Sequence, residues 1–293
     1  MYKIAHISDL HISSVSKDLN IIIFEKLLRD IVSIKCNHLV ISGDITNNAT
    51  EEEYDMINML LKKYDYFDSD KLTVCIGNHD IYGGGTKSEN SFMFPFLCKQ
   101  IDYKKSLIQF QDNFLYSFTN SVVMKRNNYF PNLKILNNEI AIISLNSIPE
   151  WSHNLNPAAS NGKVSNTELK DFEILLKSDL VKNKLKIVII HHHFNEPKID
   201  KNNYIHSLWL YSEKETMKLH NAKILLKIFN KYDVDIVMHG HTHITNTYKI
   251  GKQIFINSSG CIMPFTEEIK YKYYIIEFQS KNSNFKIQEI TLK

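Results

Sequence analysis

Five short motifs rich in histidine and aspartate contain the residues of this sequence that could do chemistry. In chain order they are Asp9-Leu10-His11, Gly43-Asp44, Gly77-Asn78-His79-Asp80, His191-His192-His193 and Gly240-His241-Thr242-His243. Each follows an apolar run of the kind that forms a buried strand. Imidazole nitrogens and carboxylate oxygens bind first-row divalent metal ions, and the five motifs supply enough of them for two ions. Together they predict a two-metal hydrolytic site, although each motif alone also fits an ordinary polar turn.

The aspartates and the asparagine indicate how two ions could be held. Asp9 and His11 alternate along an extended backbone, so both side chains can point to one side and chelate a single ion. The carboxylate of Asp44 follows a glycine that permits a sharp exit from a strand, and its two oxygens could each hold one metal. The amide oxygen of Asn78 can ligate a metal without adding charge. We therefore expect these four residues to be metal ligands, with Asp44 as the bridge.

His79 and Asp80 follow Asn78 directly and are predicted to have other roles. We expect His79 to face the substrate, where an imidazolium could stabilise developing phosphate charge or protonate the leaving oxygen. Asp80 could orient His79 or an adjacent loop. The predicted catalytic residues are therefore His79, which is not a metal ligand, and Asp44, on whose carboxylate both ions depend.

The remaining candidate ligands are the histidines of the last two motifs. Three consecutive side chains alternate in direction, so at most two of the triplet can reach a shared site. We favour His192 as the ligand and expect His191 and His193 to lie behind it or on the substrate side. His241 and His243 stand two residues apart, a spacing that lets them hold one ion each or the same ion.

The apolar pattern predicts an α/β protein. Strands are expected at residues 2–7, 38–42, 72–76, 140–145, 185–190, 236–239, 253–257, 273–278 and 285–291. Helices are expected at 19–34, 50–64, 165–178 and 221–232, and two of them begin with capping-box sequences, Thr50 with Glu53 and Ser165 with Glu168. The alternation of strands and helices predicts parallel βαβ units, whereas the last three strands, which lack intervening helices, are expected to be antiparallel.

We expect one domain over residues 1–293, with two segments that carry no readable motif. Residues 81–131 begin with a glycine cluster and continue with aromatic-rich, helical sequence, and residues 194–220 separate the last two motifs. Both segments are candidates for a cap or lid over the site, or for a wall that selects the substrate.

Composition argues against several classes of protein. The chain has 293 residues, 43% of them hydrophobic and 23% charged, as in an ordinary globular domain. Its net charge of +3 gives no polyanion-binding signature, which argues against nucleic acid as a partner. The four cysteines are widely spaced, which argues against a disulfide framework, and no secretory signal or apolar run of spanning length is seen. We therefore expect a cytoplasmic protein without a transmembrane segment.

The combined motif set, from Asp9 to His243, resembles the calcineurin-like metallophosphoesterase superfamily, and within it most resembles bacterial class III cyclic-nucleotide phosphodiesterases. The resemblance implies a four-layer α/β/β/α sandwich of two mixed sheets with flanking helices, and a dinuclear metal site at the carboxyl ends of the strands. It implies that one metal is bound by Asp9, His11, Asp44 and His243, and the other by Asp44, Asn78, His192 and His241. A bridging hydroxide would then attack phosphorus in line, with His79 on the leaving-group side.

The resemblance also implies cofactors and a class of substrate. The cofactors would be two divalent ions of Mn, Fe, Zn or Co, and the substrate a small phosphate ester or nucleotide, with a diester expected. Asn47 stands where purple acid phosphatases carry a tyrosine, and residues 43–49 lack the arginine of the phosphoprotein phosphatase motif, which argues against both branches. The alternatives that stay open are a DNA nuclease, a hydrolase of a nucleotide-sugar lipid precursor and a scaffold without catalysis. The sequence predicts no oligomeric state.

Overall fold

Two mixed β-sheets form the centre of the computed structural model, which describes residues 1–15, 19–84, 94–125, 128–194, 217–262, 270–279 and 285–292. The first sheet contains β1 (Tyr2–Ile7), β2 (His38–Ile41), β3 (Leu72–Val74), β11 (Lys272–Phe278) and β12 (Phe285–Thr291). Their order is β12-β11-β1-β2-β3. Strand β2 runs parallel to both β1 and β3, whereas β11 is antiparallel to its neighbours. The predicted parallel βαβ units of the first half are therefore confirmed.

The second sheet has seven strands. They are β4 (Val122–Lys125), β5 (Asn128–Leu136), β6 (Ile140–Ser144), β7 (Leu185–Ile189), β8 (Ile236–His239), β9 (Thr245–Ile250) and β10 (Gln253–Ser258). Their order is β4-β5-β6-β7-β8-β10-β9. Strands β6, β7, β8 and β10 run parallel, and antiparallel strands close both sides of this parallel centre.

Eight α-helices are found in the described ranges. They are α1 (Leu19–Ser33), α2 (Glu51–Lys63), α3 (His79–Tyr82), α4 (Phe94–Gln100), α5 (Tyr103–Asn113), α6 (Leu115–Phe118), α7 (Asn166–Lys177) and α8 (Ala222–Lys231). Among the described residues, none of these helices combines the length and the apolar character needed to cross a bilayer.

Three apolar clusters separate four layers of secondary structure. One lies between the first sheet and helices α1, α2 and α5, and contains the buried Tyr54. The second lies between the two sheets, where Ile4 of β1 and Ile187 of β7 belong to the same cluster. The third lies between the second sheet and helices α7 and α8, and contains Phe172. The predicted sandwich of two mixed sheets with flanking helices is therefore confirmed.

The C-terminal strands differ from the predicted antiparallel ending. The prediction is correct for β11 and β12, but it is wrong for β10, which lies in the other sheet and pairs in parallel with β8. The reason is that β9, which was not predicted, forms a hairpin with β10 and occupies its other side. Strand β9 lies at the sheet edge, so its residues need not show a buried apolar pattern.

The two predicted helix caps have different outcomes. At α2 the capping box is present, because the Thr50 hydroxyl accepts from the Glu53 amide and the Glu53 carboxylate accepts from the Thr50 amide. At α7 only half of it forms. The Ser165 hydroxyl accepts from the Glu168 amide at 3.1 Å, but the Glu168 carboxylate accepts from the backbone amide of Asn146 at 2.6 Å. Glu168 therefore holds the chain that follows β6 rather than its own helix end.

Four aromatic rings of the segment 81–131 pack into the core. Phe110, Phe114, Phe118 and Phe130 are buried in the same cluster as Tyr54 of α2. The other predicted lid, residues 194–220, lies outside the described residues except for its first residue and its last four.

We expect Phe114→Ala to lower the free energy of unfolding by about 3–5 kcal/mol, because truncation of a buried aromatic ring leaves a cavity. The Phe114 ring is fully buried and its centroid lies 5.0 Å from that of Phe110 and 5.8 Å from that of Tyr54. Urea denaturation at fixed metal concentration measures the loss. Leu115→Ala is the matched control, because that side chain is 43% exposed. Equal, small losses in both variants would show that this segment is not part of the core.

Candidate metal centre

All five motifs lie at the carboxyl ends of strands, on one edge of the sandwich. The first three follow the parallel strands β1, β2 and β3, and the last two follow the parallel strands β7 and β8. Because the carboxyl ends of parallel strands meet at one edge, the loops that carry these motifs converge there.

Five non-glycine residues of the motifs have backbone conformations that favour glycine. The φ angles are +55° at Asp9, +44° at His11, +48° at Asp44, +80° at His241 and +53° at His243. A left-handed conformation costs a non-glycine residue about 1–2 kcal/mol, so it persists only where the surroundings impose it. Here the amide of Asp9 donates to the carbonyl of Gly43 and the amide of His11 to that of Asp44, which joins the first two motif loops. These hydrogen bonds hold the side chains in place.

The first cluster of candidate ligands contains Asp9, His11 and His243, whose ligand atoms lie within 4.8 Å of one another. The Nε2 atoms of His11 and His243 are 3.1 Å apart. The Oδ1 atom of Asp9 lies 3.9 Å from the first of these nitrogens and 3.7 Å from the second. Asp9 is fully buried, and both of its oxygens accept the backbone amide of His241 at 3.0 Å. This cluster therefore offers one carboxylate and two imidazoles to a single ion.

The second cluster contains Asp44, His191 and His241, again with ligand atoms within 4.8 Å of one another. The Nε2 atom of His191 is its centre. It lies 3.0 Å from Nδ1 of His241, 3.2 Å from Oδ1 of Asn78 and 3.3 Å from Oδ2 of Asp44. One carboxylate oxygen, one amide oxygen and two imidazole nitrogens thus point at one another.

Hydrogen bonds on the far sides of the two rings fix which nitrogens carry protons. Nδ1 of His191 lies 3.0 Å from the carbonyl of Ser42, and Nε2 of His241 lies 3.0 Å from the carbonyl of Ser160. A carbonyl only accepts, so both of these nitrogens must be donors. In the neutral rings, Nε2 of His191 and Nδ1 of His241 are therefore bare. A cation placed among Nε2 of His191, Nδ1 of His241, Oδ1 of Asn78 and Oδ2 of Asp44 would bind all four atoms. A proton on Nε2 of His191 bonds to only one of the other three.

Asp44 joins the two clusters. Its Oδ2 atom lies 3.3 Å from Nε2 of His191 and 3.7 Å from Nε2 of His11, so one oxygen faces both sets of ligands. Its Oδ1 atom accepts the backbone amide of His79 at 2.8 Å. The sequence led us to expect one oxygen for each metal. In the structure one oxygen faces both sets of ligands, and the other accepts a hydrogen bond from the loop that follows β3.

Burial and the neighbouring carboxylates shift the pKa values of the side chains in the centre. Burial raises the pKa of Asp9 to about 7. Burial lowers the pKa of His11 and His241 well below the ordinary value, and that of His243 to about 4, so these three imidazoles are neutral at pH 7. At His191 burial also acts to lower the pKa, but the adjacent carboxylate outweighs it and raises the pKa to about 9. Two buried carboxylates among mostly neutral imidazoles suit divalent cations.

His79 lies beside the clusters and is half-buried, unlike the fully buried His191. Its Nδ1 atom lies 3.2 Å from the carbonyl of Asn47, so Nδ1 is the donor and Nε2 is left for other partners. Its ring meets the ring of His11 edge to face, with centroids 4.4 Å apart. His79 also has a ligand atom within 4.8 Å of ligand atoms of His11 and Asp44.

Asp80 holds the adjacent loop, which is one of its two predicted roles. Its Oδ1 atom accepts from the amides of Ile45 and Thr46 and from the Thr46 hydroxyl, and its Oδ2 atom accepts from the amide of Gly77. A Cβ on Gly77 would lie 2.1 Å from the backbone nitrogen of Asp44, so only glycine fits there. Asp80 and Gly77 together fix the position of Asp44.

Within the histidine triplet, the structure differs from the expectation that His192 is the ligand. The side chain that lies with Asp44, Asn78 and His241 is His191, not His192. Alternation along β7 is the reason. Ile187 and Ile189 face the other sheet, and His191 continues that row, whereas Val188 and Ile190 face the helices and His192 continues theirs. The four residues before the triplet are all apolar, so alternation alone does not show from the sequence which face of β7 meets the other sheet.

His192 makes its hydrogen bonds to residues that belong to neither cluster. Its Nδ1 atom lies 2.7 Å from the hydroxyl of Ser147, and its Nε2 atom lies 3.2 Å from the carbonyl of Ser160. The sequence pattern does not mark Ser147 or Ser160 as site residues, because they lie outside the five motifs and because Ser160 acts through its backbone carbonyl.

The chain resembles known proteins in sequence and in fold. A family model described as "Calcineurin-like phosphoesterase" matches residues 2–245. A protein of Ruthia magnifica subsp. Calyptogena magnifica, named a probable cyclic nucleotide phosphodiesterase, is 25% identical over 282 residues, which cover 94% of this chain and 93% of the relative.

Two solved structures share the fold. A dimetal phosphatase from Danio rerio has a TM-score of 0.61 at 12% identity, with 99% of this chain and 98% of that chain covered. A purple acid phosphatase from yellow lupin (Lupinus luteus) has a TM-score of 0.57 at 11% identity, with 94% and 49% covered. At these identities the likeness concerns the fold alone. The match of the family model over most of the sequence shows that this chain belongs to the calcineurin-like phosphoesterase family.

Proposed function

We propose that this protein is a phosphodiesterase that acts on a small diester with two divalent cations. The observation that carries the proposal is the pair of ligand clusters joined by Asp44 at one edge of the sandwich. We assign one cation to Asp9, His11, Asp44 and His243, and the other to Asp44, Asn78, His191 and His241. The mixed nitrogen and oxygen ligands suit Mn²⁺, Fe²⁺, Co²⁺ and Zn²⁺.

Bound cations would supply Lewis-acid activation of a phosphate ester and of water near neutral pH. The protein's own contribution is to hold the ligands rigidly. The hydrogen bonds from His191 to the Ser42 carbonyl and from His241 to the Ser160 carbonyl fix both ring orientations and both tautomers. The amide of His79 binds Oδ1 of Asp44 and so orients the shared carboxylate.

We propose that His79 acts on the substrate. The Asn47 carbonyl fixes the proton of His79 on Nδ1 and leaves Nε2 for the substrate side. A protonated Nε2 can donate to a phosphate oxygen and then pass its proton to the leaving alkoxide. The backbone amide of His79 is held as well, by Oδ1 of Asp44.

We expect His79→Asn to lower kcat by about 10²–10⁴-fold, the usual contribution of a general acid, while the protein still binds two metal ions. Steady-state kinetics and metal content measured on the same preparation test this. His153→Asn is the matched control, because His153 is exposed and belongs to none of the five motifs. Loss of a metal ion in His79→Asn would contradict the assignment and make His79 a ligand.

The preference for a diester draws support from the relative that is named a probable cyclic nucleotide phosphodiesterase. Hydrolysis of bis-p-nitrophenyl phosphate and of p-nitrophenyl phosphate, each with and without Mn²⁺, tests the preference. We expect Mn²⁺-dependent cleavage of the diester, which should be reduced in Asn78→Ala, and turnover of cyclic nucleotides. A clear preference for the monoester would instead make the protein a phosphatase.

A further inference from the structure

His192 is a fully buried histidine that lies outside both ligand clusters, yet both of its ring nitrogens have hydrogen-bond partners. Both partners belong to the segment between β6 and α7, residues 145–165, here called the β6–α7 loop. Ser147 lies near the start of this loop and Ser160 near its end. The imidazole of His192 therefore ties two distant points of one loop together.

The proton positions on His192 follow from these partners. The carbonyl of Ser160 only accepts, so Nε2 of His192 is the donor and Nδ1 is the acceptor. The hydroxyl of Ser147 then donates to Nδ1 at 2.7 Å, and its oxygen also accepts the backbone amide of His192 at 3.4 Å. Every polar atom in this arrangement has a compatible partner.

The Ser160 carbonyl is shared between two histidines. It accepts from Nε2 of His241 at 3.0 Å as well as from Nε2 of His192 at 3.2 Å, and a carbonyl oxygen has two lone pairs for this purpose. The bond to His241 is the one that turns Nδ1 of that ring toward Asp44 and His191. The position of this carbonyl therefore decides how His241 presents its ligand atom.

We propose that His192 is a positioning residue for the second cation, an inference that rests on the proposed function. By donating to the Ser160 carbonyl, His192 holds that carbonyl where it orients His241. The backbone of the loop packs directly against the His192 ring, since a Cβ on Gly162 would lie 2.5 Å from Cγ of His192. The loop is also tied on its other side, where the Gly162 amide donates to the carbonyl of Lys218 at 2.9 Å.

Two substitutions separate positioning from packing. His192→Phe keeps a ring of similar size but has no donor, whereas His192→Gln keeps a side-chain N–H at about the place of Nε2. We expect His192→Phe to weaken binding of one Mn²⁺ ion by about 10–100-fold, the usual cost of losing a group that orients a ligand, and to leave the other ion unchanged. His192→Gln should restore binding to within a few-fold of the parent protein.

Competition with a chelator measures both Mn²⁺ affinities, and Asn78→Ala identifies which ion is the second one. The ion weakened in His192→Phe should be the ion weakened in Asn78→Ala. Unchanged Mn²⁺ affinity in His192→Phe would overturn the inference. So would an equal loss of both ions together with a lowered Tm, or a Gln variant as weak as the Phe variant. Failure of the proposed function would show in the parent protein itself, as fewer than two bound ions.

Discussion

Asp44→Ala should reduce metal-dependent hydrolysis by at least about 10³-fold, more than loss of a residue that only orients a ligand, because one carboxylate serves both clusters. Its Oδ2 atom faces the inward nitrogens of His11 and His191, and its Oδ1 atom holds the amide of His79. The substitution therefore removes a ligand from both cations and releases the backbone beside the predicted acid. Steady-state kinetics at saturating Mn²⁺ measure the effect.

Asp55→Ala is the control for this experiment, because Asp55 is an exposed aspartate on α2. It should keep the activity of the parent protein. Asn78→Ala should lose less activity than Asp44→Ala, because Asn78 contacts the second cluster only. Activity of Asp44→Ala within a few-fold of the parent protein would refute its assignment as the shared ligand.

The second large effect is expected within the histidine triplet. His191→Ala should bind one Mn²⁺ ion per chain instead of two and lose activity by at least about 10²-fold, because it removes a ligand rather than a supporting group. His192→Phe should still bind two ions at saturating Mn²⁺. Equilibrium dialysis followed by elemental analysis counts the ions in each variant.

His191→Ala and His192→Phe serve as controls for each other, since both remove a fully buried imidazole from the same strand end. The opposite result, with one ion in His192→Phe and two in His191→Ala, would restore the ligand assignment that the motif resemblance implies. Far-ultraviolet circular dichroism of both variants shows whether the fold is kept.

Much of the site could be predicted because strands and ligand motifs leave strong local signals. Asp9 and Asp44 follow apolar runs directly, and the parallel strands bring them to one edge. Thr50 and Glu53 form the capping box that their spacing indicates. These features depend on residues that are close in sequence, so the pattern contains the information needed.

The remaining parts depend on tertiary contacts that the pattern does not show. The choice between His191 and His192 follows from which face of β7 meets the other sheet. The Ser160 carbonyl is a backbone group, so no side chain marks its role. The ring of Phe114 fills the core beside α2, although its segment has no strand-like or motif signal that places it there.

Titration of metal-free protein with Mn²⁺, with bound ions and hydrolysis of bis-p-nitrophenyl phosphate followed together, tests the central claim most directly. The two clusters joined by Asp44 predict that hydrolysis rises with bound Mn²⁺ and reaches its plateau at two ions per chain. A chelator should then remove the activity, and renewed Mn²⁺ should restore it. Full hydrolysis with one bound ion, or with none, would contradict a site built for two cations.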